Sequence, residues 1–311
     1  EGLRGEIPMG LSIYNIKKWL KMVTGKSIMH VNQELGKYFS PVELKGYFND
    51  LTEKVLRDPE TLKNKTIPMS TDEKAGKVYF PIAIFQYGLG AYDLYIGTGE
   101  EIYKDQFMRC VDWAIKNQEE IGAWNNFGFV QANAPYSSMC QGEACSLLLR
   151  AYKETGNVRY LTAATKAIDF MLLPIDKGGT TEYLNEEIIF YEYTNKPAIL
   201  NGWIFSFFGL YELNLILNDT RYKELVRISV CSLKNHLNDF DLGYWSKYDS
   251  KKMIASPFYH KLHIAQLKAL IKIDNAPVFF EIMTKFERYQ NSWWNRKRAF
   301  IKKAWQKVFE K

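Results

Sequence analysis

From residue 81 onward the chain reads as helices in pairs, and in each pair the first helix is the more apolar and the second the more charged. The spacing predicts helices over 81–95 and 100–117, 137–153 and 158–172, 200–217 and 221–237, and 259–272 and 277–289. Gly97 and Gly99, Gly156, Asn218-Asp219, and Asp274 to Pro277 supply the turns. A helix that is apolar all round must be buried, whereas one with a charged face must border water. Hairpins recurring every ~55–60 residues meet both demands when the first helices form an inner ring and the second an outer ring. The expected fold is mainly α, an incomplete α/α toroid of about four hairpins with short β segments in its rim loops, for example over 188–191.

The segments between hairpins are long and hold polar aromatic clusters: Trp124 to Phe129, Tyr183 to Tyr193, and Phe240 to Phe258. Loops that meet at one rim of a toroid are where function normally sits. Residues 1–66 read as a helical lead-in. Apolar residues recur at Leu11, Ile13, Ile16, Trp19, Leu20 and Val23, and Ser40-Pro41-Val42-Glu43 looks like the capped start of a helix running through Leu56, before Asp58-Pro59 interrupts the chain. Residues 67–290 form the expected catalytic domain, and 291–311 a separate terminal helix.

Composition limits the function classes. A hydrophobic fraction of 47% with 15% aromatics supplies a packed core. The longest apolar run, 198–217, is interrupted by Asn201, Ser206 and Glu212, so no membrane span is expected. The chain begins at Glu1 without an apolar signal core, and a cytoplasmic or membrane-peripheral location is the expectation. Cys110, Cys140, Cys145 and Cys231 show no CxxC spacing and read as reduced core thiols. The histidines His30, His236, His260 and His263 contain no HExxH pattern, so no metal site is expected. The net charge of +6 arises in residues 291–311, where seven Lys or Arg stand against one Glu. There Trp293, Trp294, Phe300, Ile301 and Trp305 interleave with Arg296, Lys297, Arg298, Lys302 and Lys303, a basic amphipathic helix. Such a helix either touches an anionic membrane or polyanion, or packs its aromatic face on the body with its lysines in water. No nucleic-acid recognition motif accompanies the charge.

The chemistry open to the rim clusters is acid–base. No nucleophile motif, phosphate loop or dinucleotide fingerprint is present, while Tyr191, Glu192, Tyr193, Tyr248, Lys251 and Tyr259 offer phenols, a carboxylate and an ammonium. A phenol serves as a base only beside a cation, and a lysine such as Lys251 could instead pair with a substrate carboxylate and so acidify a neighbouring C–H.

Five stretches in order resemble the catalytic domain of the D-glucuronyl C5-epimerase family: Ile67 to Thr71 running on to Val78–Leu89; Tyr136-Ser137-Ser138-Met139-Cys140-Gln141-Gly142-Glu143-Ala144; Leu200-Asn201-Gly202; Gly209-Leu210-Tyr211; and Tyr259-His260 with His263-Ile264 and Gln266-Leu267. The resemblance implies inversion of D-glucuronate to L-iduronate in a heparosan-like polymer, with no cofactor, by removal of H5 from one ring face and reprotonation at the other. It implies catalytic roles for Glu192, Tyr193, Tyr248 and Tyr259, with Glu192 and Tyr259 as the opposed pair. It also implies substrate contacts from Lys251, Tyr136, Gln141, Asn201, His260, His263 and Gln86. The partner it implies is an anionic polysaccharide, and a homodimer is compatible with it. The chain departs from the family pattern at Lys251, which stands for Arg, and at Glu143 and Ala265, which stand for Gln and Asn; residues 1–66 are also short and helical where larger members carry a β-rich domain. The alternative readings are a polysaccharide lyase, which starts with the same C5 proton abstraction, and a non-catalytic glycan-binding protein.

Overall fold

The structure, a computed structural model, describes residues 30–309, so the helix expected around residues 11–23 lies outside it. Four hairpins follow one another: α1 (Pro81–Thr98) with α2 (Glu101–Asn117), α3 (Ser138–Thr155) with α4 (Val158–Met171), α5 (Leu200–Leu217) with α6 (Thr220–His236), and α7 (Pro257–Ile273) with α8 (Pro277–Asn291). A further helix, α9 (Trp293–Phe309), closes the described chain. The ends fall where the sequence signals them. Ser137 caps α3 through the Cys140 amide, Pro81, Pro257 and Pro277 open their helices, and Gly156 ends α3 at a left-handed φ of 68°.

Burial separates two rings: α3 buries 14 of 18 residues and α5 13 of 18, whereas α2 and α6 bury five of 17 each. The chain is therefore a mainly α protein with the α/α-toroid arrangement of inner and outer helices. By length and composition α5 is apolar enough to cross a membrane, but 72% of it is buried inside the protein, which makes it a core helix. Its contact with α3 is close because both helices lack side chains where they cross. A Cβ on Gly209 would lie 2.4 Å from the Gly142 carbonyl oxygen, so the two backbones touch there, and the Ser206 hydroxyl donates to Ser138 at 2.8 Å beside them. The buried pair Arg150–Glu212 ties the same two helices together by two parallel hydrogen bonds of 2.8 and 2.9 Å.

Two short antiparallel hairpins lie in the rim loops: β1 (Ser70–Asp72) with β2 (Gly76–Val78), and β3 (Thr181–Leu184) with β4 (Glu187–Phe190). The second was anticipated at 188–191. The first was not, because Ser-Thr-Asp on one side and Gly-Lys-Val on the other carry no apolar alternation. All four cysteines are free thiols.

Two expectations are corrected. No helix runs from Ser40 to Leu56; residues 41–50 form bends and isolated bridges, and only Thr52–Leu56 and Pro59–Lys63 make single helical turns. The apolar residues Leu44, Tyr47, Phe48, Leu51 and Val55 are buried as a helical period would suggest. Their backbone, however, finds partners elsewhere: the Tyr47 amide donates to Asp93, Tyr211 donates to the Pro41 carbonyl, and Lys153 to that of Leu44. These bonds replace those a helix would have made internally. The packed version of the terminal helix is inverted as well. The face of α9 that meets the body is Ala299, Lys303 and Gln306, while Trp294, Ile301 and Trp305 are exposed.

Candidate active site

All four inner helices begin at one cavity of about 500 Å³. Ile82, Ala83 and Gln86 of α1, Met139 of α3, Asn201 and Phe205 of α5, and Phe258, Tyr259 and Leu262 of α7 line it. Four helix N-termini aimed at one volume favour an anionic occupant. The β1–β2 hairpin and the aromatic segment of Phe127 and Phe129 complete the walls.

Glu192 reaches this cavity from the strand end of β4. The Tyr191 carbonyl accepts from the Ser138 amide at the start of α3, and the Tyr191 hydroxyl donates to Glu182 at 2.6 Å, so the hairpin is pinned to the inner ring one residue before the glutamate. Its carboxylate then packs on Gly202, where a Cβ would lie 2.6 Å from Oε2 and would displace it. That contact gives a physical reason for the glycine of the Leu200-Asn201-Gly202 motif. Burial pushes Glu192 up to about 7, only partly offset by Lys196, and its Oε2 has no hydrogen-bond partner among the described residues.

Three phenols stand around it. Tyr193 stacks on Phe127 at 4.1 Å and 14°, with Lys196 over its ring. Tyr248 and Tyr259 lie with ring centroids 4.7 Å apart and share a hydrogen bond. Burial, followed by the nearby charge of Glu192, raises both hydroxyls above the ordinary phenol value, so they stand protonated as donors. The Ser256 cap, accepting from the Tyr259 amide, fixes where that phenol leaves α7. Tyr248 is carried by a turn that Asp249 closes by accepting from three successive amides, Lys251, Lys252 and Met253.

The other substrate contacts suggested by the sequence divide. Gln86 and Asn201 line the cavity. Lys251 does not: it is exposed on the outer side of the Asp249 turn. Tyr136 lies away from the cavity with its hydroxyl bonded to Glu119 at 2.7 Å, and the side chain of Gln141 turns back onto the Ser137 carbonyl. His260 and His263 are buried beneath the site and share the Ser246 hydroxyl at 2.8 and 3.0 Å. His260 also accepts from the Ser246 amide, donates to the Phe286 carbonyl and stacks on Trp245 at 3.7 Å. Burial lowers His260 to about 3, and burial, with the neighbouring His260, holds His263 well below the ordinary imidazole value, so both are neutral and hold the Tyr248 loop to α7 and α8.

The cavity's cations come from places the sequence reading passed over. Lys54, between Leu51 and Val55 in the apolar lead-in, and Lys303 of α9 both line it. Burial lowers Lys54 to about 8, against the pull of Glu143. Lys303 donates to the Ile254 carbonyl at 2.7 Å and lies 5.6 Å from the Tyr248 ring. Behind Gln86, which donates to it at 2.7 Å, Glu143 is pushed up to about 8 by burial. Protonated at neutral pH, Glu143 is the isostere of the glutamine expected at its position, which accounts physically for that departure.

Residues 109–288 match the profile of the D-glucuronyl C5-epimerase C-terminus family. The chain belongs to this family. The D-glucuronyl C5-epimerase of Caenorhabditis elegans is 27% identical over 218 residues, a stretch covering 61% of the chain and 35% of the nematode protein. The chain thus spans about a third of that curated relative, and half or less of the next. Among solved structures, an α-1,6-mannanase of Salegentibacter matches with a TM-score of 0.50 at 13% identity, over 76% of this chain and 68% of that one. An unsaturated glucuronyl hydrolase of Streptococcus agalactiae matches with 0.50 at 15%, over 77% and 63%. At such identity these likenesses speak to the family's toroid alone.

Proposed function

We propose that the cavity is the active site of a polysaccharide uronate C5-epimerase that converts D-glucuronate to L-iduronate in a heparosan-like glycan. The observation that carries this reading is the convergence of Glu192, Tyr193, Tyr248 and Tyr259, from three separate rim segments, on one buried volume. Membership of the epimerase family supports it.

In the proposed reaction the Glu192 carboxylate takes H5, and the electron pair left at C5 spreads into the uronate carboxyl group. Lys54 and Lys303 stabilise that developing charge, in the role the sequence suggested for Lys251. Tyr259 delivers its hydroxyl proton to the opposite face of C5, completing the inversion at that carbon and leaving a phenolate. Tyr248, hydrogen-bonded to Tyr259, disperses that charge until solvent carries the proton held by Glu192 away and returns one to the phenolate. Tyr193 and Phe127 present ring faces for the sugar C–H groups. A base near neutrality suits the task, because both its charged form and its affinity for the proton are appreciable there.

Incubating heparosan and its N-sulfated form with the protein in D2O tests the reading by NMR. Deuterium at C5 with iduronate signals and no 4,5-unsaturated product is the expected outcome. An unsaturated product would make the protein a lyase, and no exchange with either polymer would sink the reading for these substrates. Tyr259→Phe, which removes one oxygen, is expected to abolish product formation; full activity in the folded variant would exclude that phenol as the donor.

A further inference from the structure

Helix α9 is amphipathic, yet its polar face points inward. Lys303 and Gln306 dock it on the body: Lys303 donates to the Ile254 carbonyl, while Gln306 accepts from the Ile254 amide and donates to the Lys252 carbonyl. On the other side Trp294, Ile301 and Trp305, spaced seven and four residues apart, form one stripe and are 74%, 65% and 48% exposed. Trp293 and Phe300 extend the stripe toward an apolar groove of about 640 Å³, which they line with Trp245, Pro257 and Ile301. A stripe of this kind along a helix about 25 Å long is larger than the isolated exposed hydrophobes normal on a protein surface.

We propose that this face docks on the surface of an anionic phospholipid bilayer. Charge selects the occupant. Residues 291–311 carry seven basic residues against one acidic, while the rest of the chain balances at 34 of each. Lys297 and Arg298 are exposed beside the stripe and Arg296 is exposed at the groove it lines, with the Lys297 ammonium 3.9 Å from the Trp293 ring centroid and the Arg298 guanidinium over the Tyr244 ring. Indole rings at headgroup depth with cationic side chains reaching lipid phosphates match that arrangement. The polar groups that border the groove are the amide of Gln290 and the cations Lys261, Arg296 and Lys297, which suit an anionic surface rather than a neutral glycan. Lys303 on the opposite face lines the catalytic cavity, so bilayer contact would hold the cavity mouth close to the membrane.

The test is co-sedimentation with vesicles of phosphatidylcholine alone or mixed with phosphatidylserine, at low and high salt. Binding is expected to the mixed vesicles only, to weaken with salt, and to fall at least about tenfold in Trp294→Ser/Ile301→Ser/Trp305→Ser, with activity on soluble oligosaccharide unchanged. Arg296→Glu/Lys297→Glu should weaken it comparably. No binding to mixed vesicles overturns the proposal. So does a dimer in light scattering that the triple variant dissociates, since a second copy would then cover the face. Retention on heparin that needs the aromatic stripe, without vesicle binding, overturns it in favour of a polyanion.

Discussion

Two clusters of buried ionisable groups hang on the same inner helices, and they are finished differently. In one, Arg150 meets Glu212 through a two-pronged contact, and Asp93, raised to about 7 by burial, accepts the Tyr47 amide. In the other, Glu192, Glu143 and Asn201 each leave an oxygen without a hydrogen-bond partner among the described residues. Burying a polar group unsatisfied costs about 1–3 kcal/mol, so a fold retains such groups where they do something else. The first cluster joins α3 to α5; in the second, Glu192 and Asn201 line the cavity and Glu143 lies behind Gln86. The first cluster is built on a two-pronged ion pair, whereas in the second the carboxyl groups of Glu192 and Glu143 each keep an oxygen open; single unbonded atoms, Arg150 Nε and Tyr47 Oη, occur in the first as well.

Breaking the first cluster should give the largest effect on stability. Arg150→Ala leaves Glu212 buried and unpaired and is expected to cost about 3–5 kcal/mol, read as a lowered urea midpoint. A change under 1 kcal/mol would mean the pair is not the tie described here. In the second cluster the loss should be catalytic: Glu192→Gln is expected to lower kcat about 10²–10⁴-fold. The same variant should be more stable than the parent at high pH. Glu192 is raised from 4.5 to about 7, so its contribution is intact below about 4.5 and lost as pH rises through about 7. Glutamine does not titrate, and a gain on the order of 3 kcal/mol at alkaline pH, vanishing under acid, is expected in paired urea curves. Equal stability at every pH would show that Glu192 is solvated. The smallest effect sought is on Lys303→Met, expected to reduce kcat/KM about tenfold on carboxylated substrate, with Lys303→Arg restoring part of it.

How far the molecule was legible depended on where each group finds its partner. The hairpins follow from apolar periodicity and from Ser137, Gly156 and the opening prolines, all local signals. The tetrad of Glu192, Tyr193, Tyr248 and Tyr259 came through the family resemblance, since twenty tyrosines give no local reason to prefer three. Lys54 and Lys303 were missed because nothing near them in sequence says which face of their segment packs. His260 and His263 were misassigned for the converse reason: their partner, Ser246, lies on another loop, and with it in place their Nδ1 atoms bind that loop to α7 beneath the site. Lys251 was misplaced because Asp249 folds the turn so that the lysine faces outward.

The inner helices start at the cavity and run away from it, so the Gly156 turn lies about 25 Å from the chemistry, beyond 18 residues of α3. The turns within the hairpins lie on one rim, and the cavity with the long connections between hairpins lies on the other. The chain can therefore be severed at that turn in principle, and halves expressed apart would carry all the information needed to find each other through the Gly142–Gly209 crossing and the Arg150–Glu212 clasp. A split protein is latent in the architecture, with its halves meeting through α3 and α5: the second half carries Glu192, Tyr193, Tyr248 and Tyr259, and the first brings Lys54 and Gln86 to the same cavity.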